Sequence, residues 1–507
     1  MIALIALAAQ GPAGTVLSAQ SSPAAPGSAS TPLDSAVVGS QAPDATLQRS
    51  AERIVAATGG EWSVFAWSID RERPLVAINA DRVMAPASNN KVLTGIWALD
   101  MLGPEYRFPT DLLVTGPVEG GVLRGDVIIR GSGDPAFGYP PPMGYNAFVE
   151  PPMTPLDKMA ARLKDLGITR VEGNIIGDPT AFDSVLIGPR WPSDTGGGAA
   201  AYAPRVSGLP FQRNMLWVEA RAEAGGAVRV ITDPQVTAVP VVSTVRSGGS
   251  NARVVRFPAD DTIRVMGSIS GGGPHRYGVG VADPALLTTD ALRYALTRAG
   301  ITVSGESLVG VTPENAELVH RHYSMPLGDM LPFLGQRSDN FFAEHLWKAA
   351  TRVAIGVGSY TQGGPAAALH FIENAGVEPG QLFQVDGSGL SSLNRVSAMA
   401  FVQALVYAHH QPYSELWHAS LAEAGKSPGT LARLFVGTPA AGNLHAKTGY
   451  INGVRTLSGY VTAADGELIA FSFLYNGANT SGARESQSRL GLLLTGYQGD
   501  GTAPQNP

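Results

Sequence analysis

The sequence contains no cysteine among its 507 residues. This absence excludes disulfide bonds, thiolate nucleophiles, iron–sulfur clusters and cysteine-ligated zinc. A nucleophile in this chain, if it has one, must therefore be an oxygen or an amine.

Charge is also scarce, and lysine is the scarcest of the charged residues. Charged residues make up 15% of the chain, the formal net charge is −6, and only six of the 36 basic residues are lysines. A nucleic-acid-binding surface needs a basic patch or stripe, so no nucleic acid partner is expected. No stretch offers 18 or more uninterrupted apolar residues, so no stable membrane span is expected either.

Motifs for metals and cofactors are missing as well. The nine histidines form no His-Glu-x-x-His pattern. The segment Gly131-Ser-Gly133 lacks the spacing and the βαβ context of a dinucleotide-binding loop. The sequence therefore predicts neither a metal nor a cofactor.

What is present begins with an apolar N-terminus. Residues 1–9 form an apolar run that is too short to cross a bilayer, and small residues follow it up to Ala19. The run resembles the core of a secretory signal without the usual positive charges, and the alternative is a disordered apolar tail. We interpret residues 1–45 as a signal-like segment and flexible linker, and expect an exported, periplasmic or cell-wall-associated protein.

The rest of the chain mixes helical and strand patterns. At about 100–200 residues per domain, its length predicts two to four domains. Periodicity and turn signals predict helices over 46–58, 88–101 and 488–494, a hairpin over 62–78, a mainly helical stretch over 327–411 and a β-meander over 444–475. Each end of the chain combines predicted strands with a predicted helix. This likeness predicts a multidomain α/β fold with a catalytic domain split into 46–103 and 280–500. Residues 104–279, rich in short strands and Gly/Pro turns, are predicted to be a β-rich insertion containing a nested further domain.

Ser88-Asn-Asn-Lys91 is the first of three motifs that carry chemistry. Residues three apart share a helix face, so the amine of Lys91 can approach the hydroxyl of Ser88. A serine hydroxyl needs a base within hydrogen-bond reach, and a desolvated lysine can supply one. By itself the pattern also fits a surface lysine one turn after a serine at a helix start.

The other two motifs are Ser338-Asp339-Asn340, between predicted helices, and Lys447-Thr448-Gly449, at the end of a predicted strand. Each alone also fits ordinary structure, a helix cap in the first case and a turn after a strand in the second. Their combination and order make a functional interpretation far more probable than three coincidences. By contrast, Asp386-Gly-Ser-Gly389 lacks the first glycine of a nucleophile elbow and is predicted to be a structural turn near the active site.

Together the three motifs are the signature of penicillin-recognising serine enzymes. The sequence resembles the class C low-molecular-mass penicillin-binding proteins, the D-alanyl-D-alanine carboxypeptidase/endopeptidase family. The resemblance runs from about Val64 to Leu494 and includes Pro86–Lys91, Arg130–Pro135, Gly177-Asp178, Tyr202–Pro204, Ser338–Glu344, Asp386–Ser391 and His445–Gly449. It implies a penicilloyl-serine transferase domain, with an antiparallel sheet flanked by helices. In this family the long interval between the first two motifs, here residues 92–337, holds two extra domains, one nested in the other.

The resemblance also implies a role for each motif residue. Ser88 would attack the carbonyl of the penultimate D-alanine and Lys91 would be the general base. Ser338 would relay a proton to the leaving nitrogen, and Asn340 would hold the substrate amide.

The third motif would bind the end of the substrate. Lys447 and Thr448 would bind the terminal carboxylate, next to Gly449. The backbone N–H groups of Ser88 and Tyr450 would form the oxyanion hole. Tyr450 stands where the family usually has serine or threonine, which leaves in doubt any role for a side-chain hydroxyl there in carboxylate binding.

These observations predict a serine DD-peptidase that hydrolyses D-Ala-D-Ala termini, D-amino-acid cross-links, or both, in peptidoglycan stem peptides. β-Lactams are expected to acylate Ser88 and inhibit the enzyme. One alternative is a serine β-lactamase, for whose deacylation Glu373 is only a weak candidate. The other is a catalytically inactive wall-binding scaffold, against which the intact motifs argue.

Overall fold

The computed structural model of the chain describes residues 33, 41–139, 151–191, 202–203, 205–257, 261–271 and 273–499. The predicted signal-like segment and linker, 1–45, lies almost entirely outside these residues. Among the described residues, no helix combines the length and the apolar character needed to cross a membrane.

The elements follow one another in three stretches. The first contains α1 (Ala45–Thr58), β1 (Glu61–Ser68), β2 (Arg73–Ile78), β3 (Val83–Met84) and α2 (Asn90–Leu102). The second contains β4 (Pro109–Val114), β5 (Val118–Glu119), β6 (Val122–Leu123), β7 (Val127–Arg130), α3 (Thr154–Asp165), β8 (Arg170–Val171), β9 (Ile175–Asp178), β10 (Met215–Ala222), β11 (Val228–Asp233), β12 (Val241–Ser243), β13 (Arg246–Ser247), β14 (Arg253–Phe257), β15 (Thr262–Met266), β16 (Ser268–Ile269), β17 (His275–Gly280), α4 (Pro284–Arg298), β18 (Thr302–Val303), β19 (Ser307–Val309) and β20 (Glu317–Tyr323). The third contains α5 (Leu327–Gly335), α6 (Asn340–Ile355), α7 (Tyr360–Ala375), β21 (Leu382–Phe383), β22 (Arg395–Ser397), α8 (Ala398–His409), α9 (Ser414–Ser420), β23 (Ala422–Glu423), β24 (His445–Ile451), β25 (Val454–Thr462), β26 (Leu468–Asn476) and α10 (Thr480–Thr495).

Both ends of the chain build one antiparallel sheet. Its strand order is β2-β1-β26-β25-β24-β23, so β1 from the N-terminal part pairs with β26 from the C-terminal part, with Trp62 opposite Tyr475. Helices α1 and α10 cover one face, and α2 and α8 pack against the other. This arrangement confirms the predicted fold class, an antiparallel sheet flanked by helices and assembled from two distant segments.

The sequence pattern explains why α1 covers the sheet. Leu47, Ala51, Ile54 and Val55 recur at helical spacing and are all buried. Asp44 caps the helix, because its carboxylate accepts hydrogen bonds from the N–H groups of residues 46 and 47. The apolar stripe thus packs onto the sheet while the opposite face meets solvent.

The inserted part of the chain has sheets of its own. A five-stranded sheet, β19-β9-β7-β4-β20, lies beside a four-stranded sheet, β18-β8-β6-β5. Strands β10 to β17 pair only with one another and form three small sheets. They fall between β9 and β18 in the chain, as a nested unit would.

The change in strand pairing does not coincide with the predicted division at residues 279 and 280. Strands β18, β19 and β20 pair with strands of the inserted part, and α4 buries Ala291 and Leu292 in the same core. Helix α4 lies within the predicted catalytic segment 280–500, because a sequence pattern does not show which sheet a helix will cover. From this pairing we propose that the insertion extends to about residue 323.

A buried ion pair joins the insertion to the catalytic part. Lys348 of α6 has a fully buried side chain, and its amine donates to Asp183 at 2.6 Å and to the carbonyl of Val185 at 2.7 Å. The same amine lies 4.3 Å from the centre of the Tyr360 ring. Because a buried ammonium depends on its partner for compensation, Asp183 is expected to matter for stability.

We expect Asp183→Asn to lower the free energy of unfolding by about 2–3 kcal/mol, because it leaves the buried Lys348 charge uncompensated. Urea denaturation followed by circular dichroism measures this change. Glu172→Gln is the matched control, since it breaks only surface pairs, with Arg124 and Arg170, and should cost less than about 1 kcal/mol. Equal small effects of the two substitutions would contradict a fastening role for the Lys348 pair.

Candidate active site

Ser88 lies on a strained turn at the start of a helix. Residues 87–89 form one turn of 3-10 helix, and α2 continues from Asn90. Ala87 has a φ of +46°, a left-handed conformation that is uncommon for a residue with a side chain. Gly389 closes one side of the turn, where a Cβ atom would overlap the Ala87 carbonyl oxygen. Ser88 itself is only half-buried, so its hydroxyl is accessible to a substrate.

The central sheet fixes the other side of the turn. At Gly449 of β24, a Cβ atom would lie 2.8 Å from the carbonyl oxygen of Pro86, so only glycine allows this close approach. The Thr456 hydroxyl donates to the same carbonyl at 2.8 Å, and the Asn89 amide donates to Ser458 at 2.5 Å. The turn that carries Ser88 is therefore attached to strands β24 and β25.

Lys91 follows one helical turn after Ser88 and is almost fully buried, at 2% exposure. Its amine contacts Ser88 Oγ at 3.0 Å, Asn340 Oδ1 at 2.7 Å and the Ser388 carbonyl oxygen at 2.7 Å. Burial lowers the pKa of Lys91 to about 8, although the nearby carboxylates of Glu344, Asp386 and Asp339 oppose the shift.

The three contacts fit both forms of the amine, because an ammonium donates to all three oxygens and a neutral amine can keep two of these bonds. A neutral lysine has two N–H donors and one lone pair, whereas an ammonium has three donors and no acceptor. The Asn340 and Ser388 oxygens can only accept, so they take the two N–H donors of the neutral form. The lone pair is then directed at the Ser88 hydroxyl, which is the arrangement that proton removal from Ser88 requires.

The loop over residues 386–391 holds Lys91 in place. Its Ser388 carbonyl accepts from Lys91, while the N–H groups of Gly387 and Ser388 donate to the carboxylate of Glu344 at 3.1 and 2.6 Å. Glu344 is fully buried, and burial together with Asp386 raises its pKa to about 8. No role for Glu344 or for the Ser388 carbonyl follows from the sequence, because only their contacts distinguish them.

Asp386 stabilises this loop from within. Its carboxylate accepts from the N–H groups of Gly389 and Ser391, from the Asn394 amide and from the indole of Trp191 in the insertion, at 2.6–2.9 Å. The residue is fully buried and all of these contacts are structural. The structure therefore places Asp386 in a turn next to Lys91, in agreement with the sequence interpretation.

The second motif lies where a loop enters α6. Ser338 is half-buried with a φ of +61°, and its hydroxyl makes no hydrogen bond to another described residue. Asp339 caps α6 through the N–H groups of residues 341 and 342. Asn340 accepts from Lys91 through Oδ1 and donates through Nδ2 to the Tyr202 carbonyl at 2.5 Å. Asn340 is therefore bonded to Lys91, and Ser338 lies two residues before it.

The third motif occupies the strand beside the Ser88 turn. Lys447 is 1% exposed and donates to the Thr448 carbonyl at 2.6 Å. Burial and the nearby charge of Lys91 lower its pKa well below the usual value. Tyr450 is 57% exposed, and the Arg455 guanidinium lies 4.0 Å from the centre of its ring. The strand therefore has a buried amine near Lys91 and an exposed aromatic ring at its surface.

The contact between Ser88 and Lys91 indicates what the arrangement can do chemically. Within the described ranges, no group of three or more His, Asp or Glu side chains could hold a metal ion. A half-exposed hydroxyl bonded to a buried amine can be deprotonated and can attack a carbonyl carbon. The geometry therefore fits serine acyl transfer with lysine as the base.

Comparison with known proteins gives the same result. Residues 45–497 match the model of the D-Ala-D-Ala carboxypeptidase 3 (S13) family. The chain is 32% identical over 442 residues to a D-alanyl-D-alanine carboxypeptidase of Actinomadura sp. strain R39, covering 82% of this chain and 78% of that one. It is 26% identical over 445 residues to the D-alanyl-D-alanine carboxypeptidase DacB of Haemophilus influenzae, covering 86% and 89% of the two chains.

A solved structure shares the fold. Penicillin-binding protein 4 of Haemophilus influenzae matches with a TM-score of 0.73 and 23% identity, over 88% of this chain and 99% of that one. The family match spans all three motifs and most of the chain, which confirms the predicted resemblance. The chain therefore belongs to the D-Ala-D-Ala carboxypeptidase 3 (S13) family and is a serine DD-peptidase.

Proposed function

We propose that Ser88 is the residue that DD-peptidase substrates acylate, with Lys91 as its general base. The observation that carries this proposal is the buried Lys91 amine, bonded at once to Ser88 Oγ and to Asn340 Oδ1. The hydroxyl proton passes to Lys91 as Ser88 Oγ attacks the carbonyl carbon of the penultimate D-alanine. The leaving amine takes a proton through Ser338, and water then hydrolyses the ester and regenerates the Ser88 hydroxyl.

The remaining motif residues bind the substrate in this proposal. The backbone N–H groups of Ser88 and Tyr450 stabilise the oxyanion, and Asn340 orients the substrate amide. Lys447 supplies the positive charge and Thr448 the hydroxyl donor for the terminal carboxylate, beside Gly449. Burial and Lys91 lower the pKa of Lys447, so in this proposal the arriving carboxylate favours the charged form of its amine, and solvent screens the resulting pair little.

The natural substrates in this proposal are D-Ala-D-Ala ends and D-amino-acid cross-links of peptidoglycan stem peptides. The two activities share the Ser88 acyl-enzyme and differ only in the leaving amine. Since peptidoglycan lies outside the cytoplasmic membrane, we infer that the protein is exported, to the periplasm or the cell wall. β-Lactams would acylate Ser88 because they present a strained amide beside a carboxylate; penicillin-binding protein 4 of Haemophilus influenzae forms a complex with one.

Labelling with fluorescent penicillin tests the nucleophile. We expect one covalent label per molecule on the parent protein and none on Ser88→Ala, since the attacking oxygen is absent. Ser481→Ala, an exposed serine on α10, is the control that should keep the label. A label that persists on Ser88→Ala would contradict the role of Ser88 as the nucleophile. In a separate assay, rapid turnover of a chromogenic β-lactam by the parent protein would favour a β-lactamase.

The pH dependence of acylation tests the base. Because only neutral Lys91 accepts the proton, and its pKa is about 8, the second-order rate constant should rise about tenfold per pH unit up to about pH 8 and then level off. Stopped-flow acylation from pH 5.5 to 9.5, corrected for enzyme-free hydrolysis, measures the profile. A rate that still climbs steeply above pH 9 would mean that Lys91 keeps its ordinary pKa.

Lys447→Ala tests carboxylate binding. Loss of a charge-assisted contact should lower kcat/KM for a peptide ending in D-Ala-D-Ala by about 10–100-fold. The same peptide with a C-terminal amide should lose much less, because it presents no carboxylate. Lys426→Ala removes a 64% exposed lysine paired with Glu423 and is the matched control. Equal losses for the acid and the amide would refute the assignment.

A further inference from the structure

The inserted part of the chain contains a strained turn that faces the second motif. Gln212, Arg213 and Asn214 are consecutive residues with left-handed φ angles of +47°, +60° and +58°. Left-handed φ angles are unfavourable for residues with a side chain, so the surrounding structure must enforce the turn. The N–H of Gln212 donates to the Phe137 carbonyl at 3.1 Å, and the amide of Asn214 donates to the Arg205 carbonyl at 2.8 Å.

The turn directs Arg213 at Asp339. Its guanidinium makes two hydrogen bonds to the Asp339 carboxylate, at 2.6 and 3.2 Å, and a third to the Tyr139 hydroxyl at 3.2 Å. Both charged side chains are largely buried, at 18% and 13% exposure. The guanidinium carbon also lies 5.2 Å from the centre of the Phe341 ring. A forked contact of this kind fixes the orientation of a carboxylate as well as its position.

Asp339 passes this constraint to the reacting groups. It lies between Ser338 and Asn340, and it caps α6 by accepting from the N–H groups of residues 341 and 342 at 2.9 and 3.3 Å. The first residue of that helix, Asn340, accepts the hydrogen bond from Lys91. A continuous set of contacts therefore runs from Arg213 through Asp339 and Asn340 to Lys91.

We propose that Arg213 is a positioning residue for acylation, which holds Asp339 and thereby sets the place of Ser338 and Asn340 against Lys91. This inference rests on the proposed role of Lys91 as the base of Ser88. In this proposal the insertion contributes to catalysis, because Arg213 belongs to the inserted part and binds Asp339, which lies 126 residues later in the sequence. Arg213 touches no reacting atom itself.

Charge gives the pair a second effect. The Asp339 carboxylate raises the pKa of Lys91 against the larger effect of burial. Arg213 neutralises that carboxylate at hydrogen-bond distance, so it limits how strongly Asp339 stabilises the Lys91 ammonium. Loss of the guanidinium should therefore favour the protonated, inactive form of Lys91.

The experiment compares acylation by penicillin in four variants of the full chain. Arg213→Met should lower the acylation rate constant at pH 7 about tenfold. It should also shift the acidic limb of the pH profile, where the rate rises with pH, to higher pH by about half a unit. Arg213→Lys keeps the charge but not the fork, so its rate should fall while the limb stays in place. Adding Asp339→Asn to Arg213→Met should return the limb toward that of the parent, since the uncompensated carboxylate is gone. Arg276→Met removes a surface arginine of the insertion, paired with Asp233, and should change neither quantity.

Two results would overturn the inference. One is an Arg213→Met variant with the parental rate and pH profile. The other is a loss of activity that matches the loss of folded protein in circular dichroism, with an unshifted limb, which would make Arg213 structural only. The parent protein separates this inference from the proposed function: if penicillin does not label the parent at Ser88, the proposed function fails, whatever the variants show.

Discussion

The catalytic part of this protein depends on keeping one buried amine between three oxygen atoms. Lys91 is 2% exposed, and its amine meets Ser88 Oγ, Asn340 Oδ1 and the Ser388 carbonyl. Burial lowers the pKa of this amine, and once it is neutral the two fixed acceptors take its N–H donors, so that its lone pair faces Ser88. The strained turn at Ala87, the loop after Asp386 and the start of α6 all serve to keep these atoms in contact.

The fold supplies those atoms from distant segments. The sheet joins β1 to β26, so neither end of the chain completes it alone. The insertion contacts the catalytic part at several points: Asp183 binds Lys348, Trp191 binds Asp386, and Arg213 binds Asp339. Most of these contacts join charged or polar groups that are largely buried, which makes them specific in orientation as well as in position. The insertion therefore supports the site and is more than an appended module.

Much of the fold could be predicted from the sequence because its signals are local. The apolar spacing of Leu47 to Val55 predicts a helix over 46–58, and the structure has one over Ala45–Thr58. Strand patterns predict a β-meander over 444–475, which the structure has as β24, β25 and β26. The boundary proposed here, near residue 323, differs from the predicted one at residue 280, because a helix pattern or a short strand does not reveal its partner sheet. That choice depends on packing between segments far apart in the chain.

For the site, the sequence by itself determined the chemistry. The absence of cysteine, the spacing of Ser88 and Lys91 on one helix face, and the family resemblance carried by the three motifs together predict serine acylation with a lysine base. Only the tertiary structure decided what surrounds that lysine. The Ser388 carbonyl, Glu344 and Arg213 carry no distinctive local pattern, since a backbone carbonyl, a helical glutamate and a loop arginine occur throughout the chain. Their contacts join residues that are 43 to 297 positions apart in the sequence, and such contacts exist only once the chain has folded.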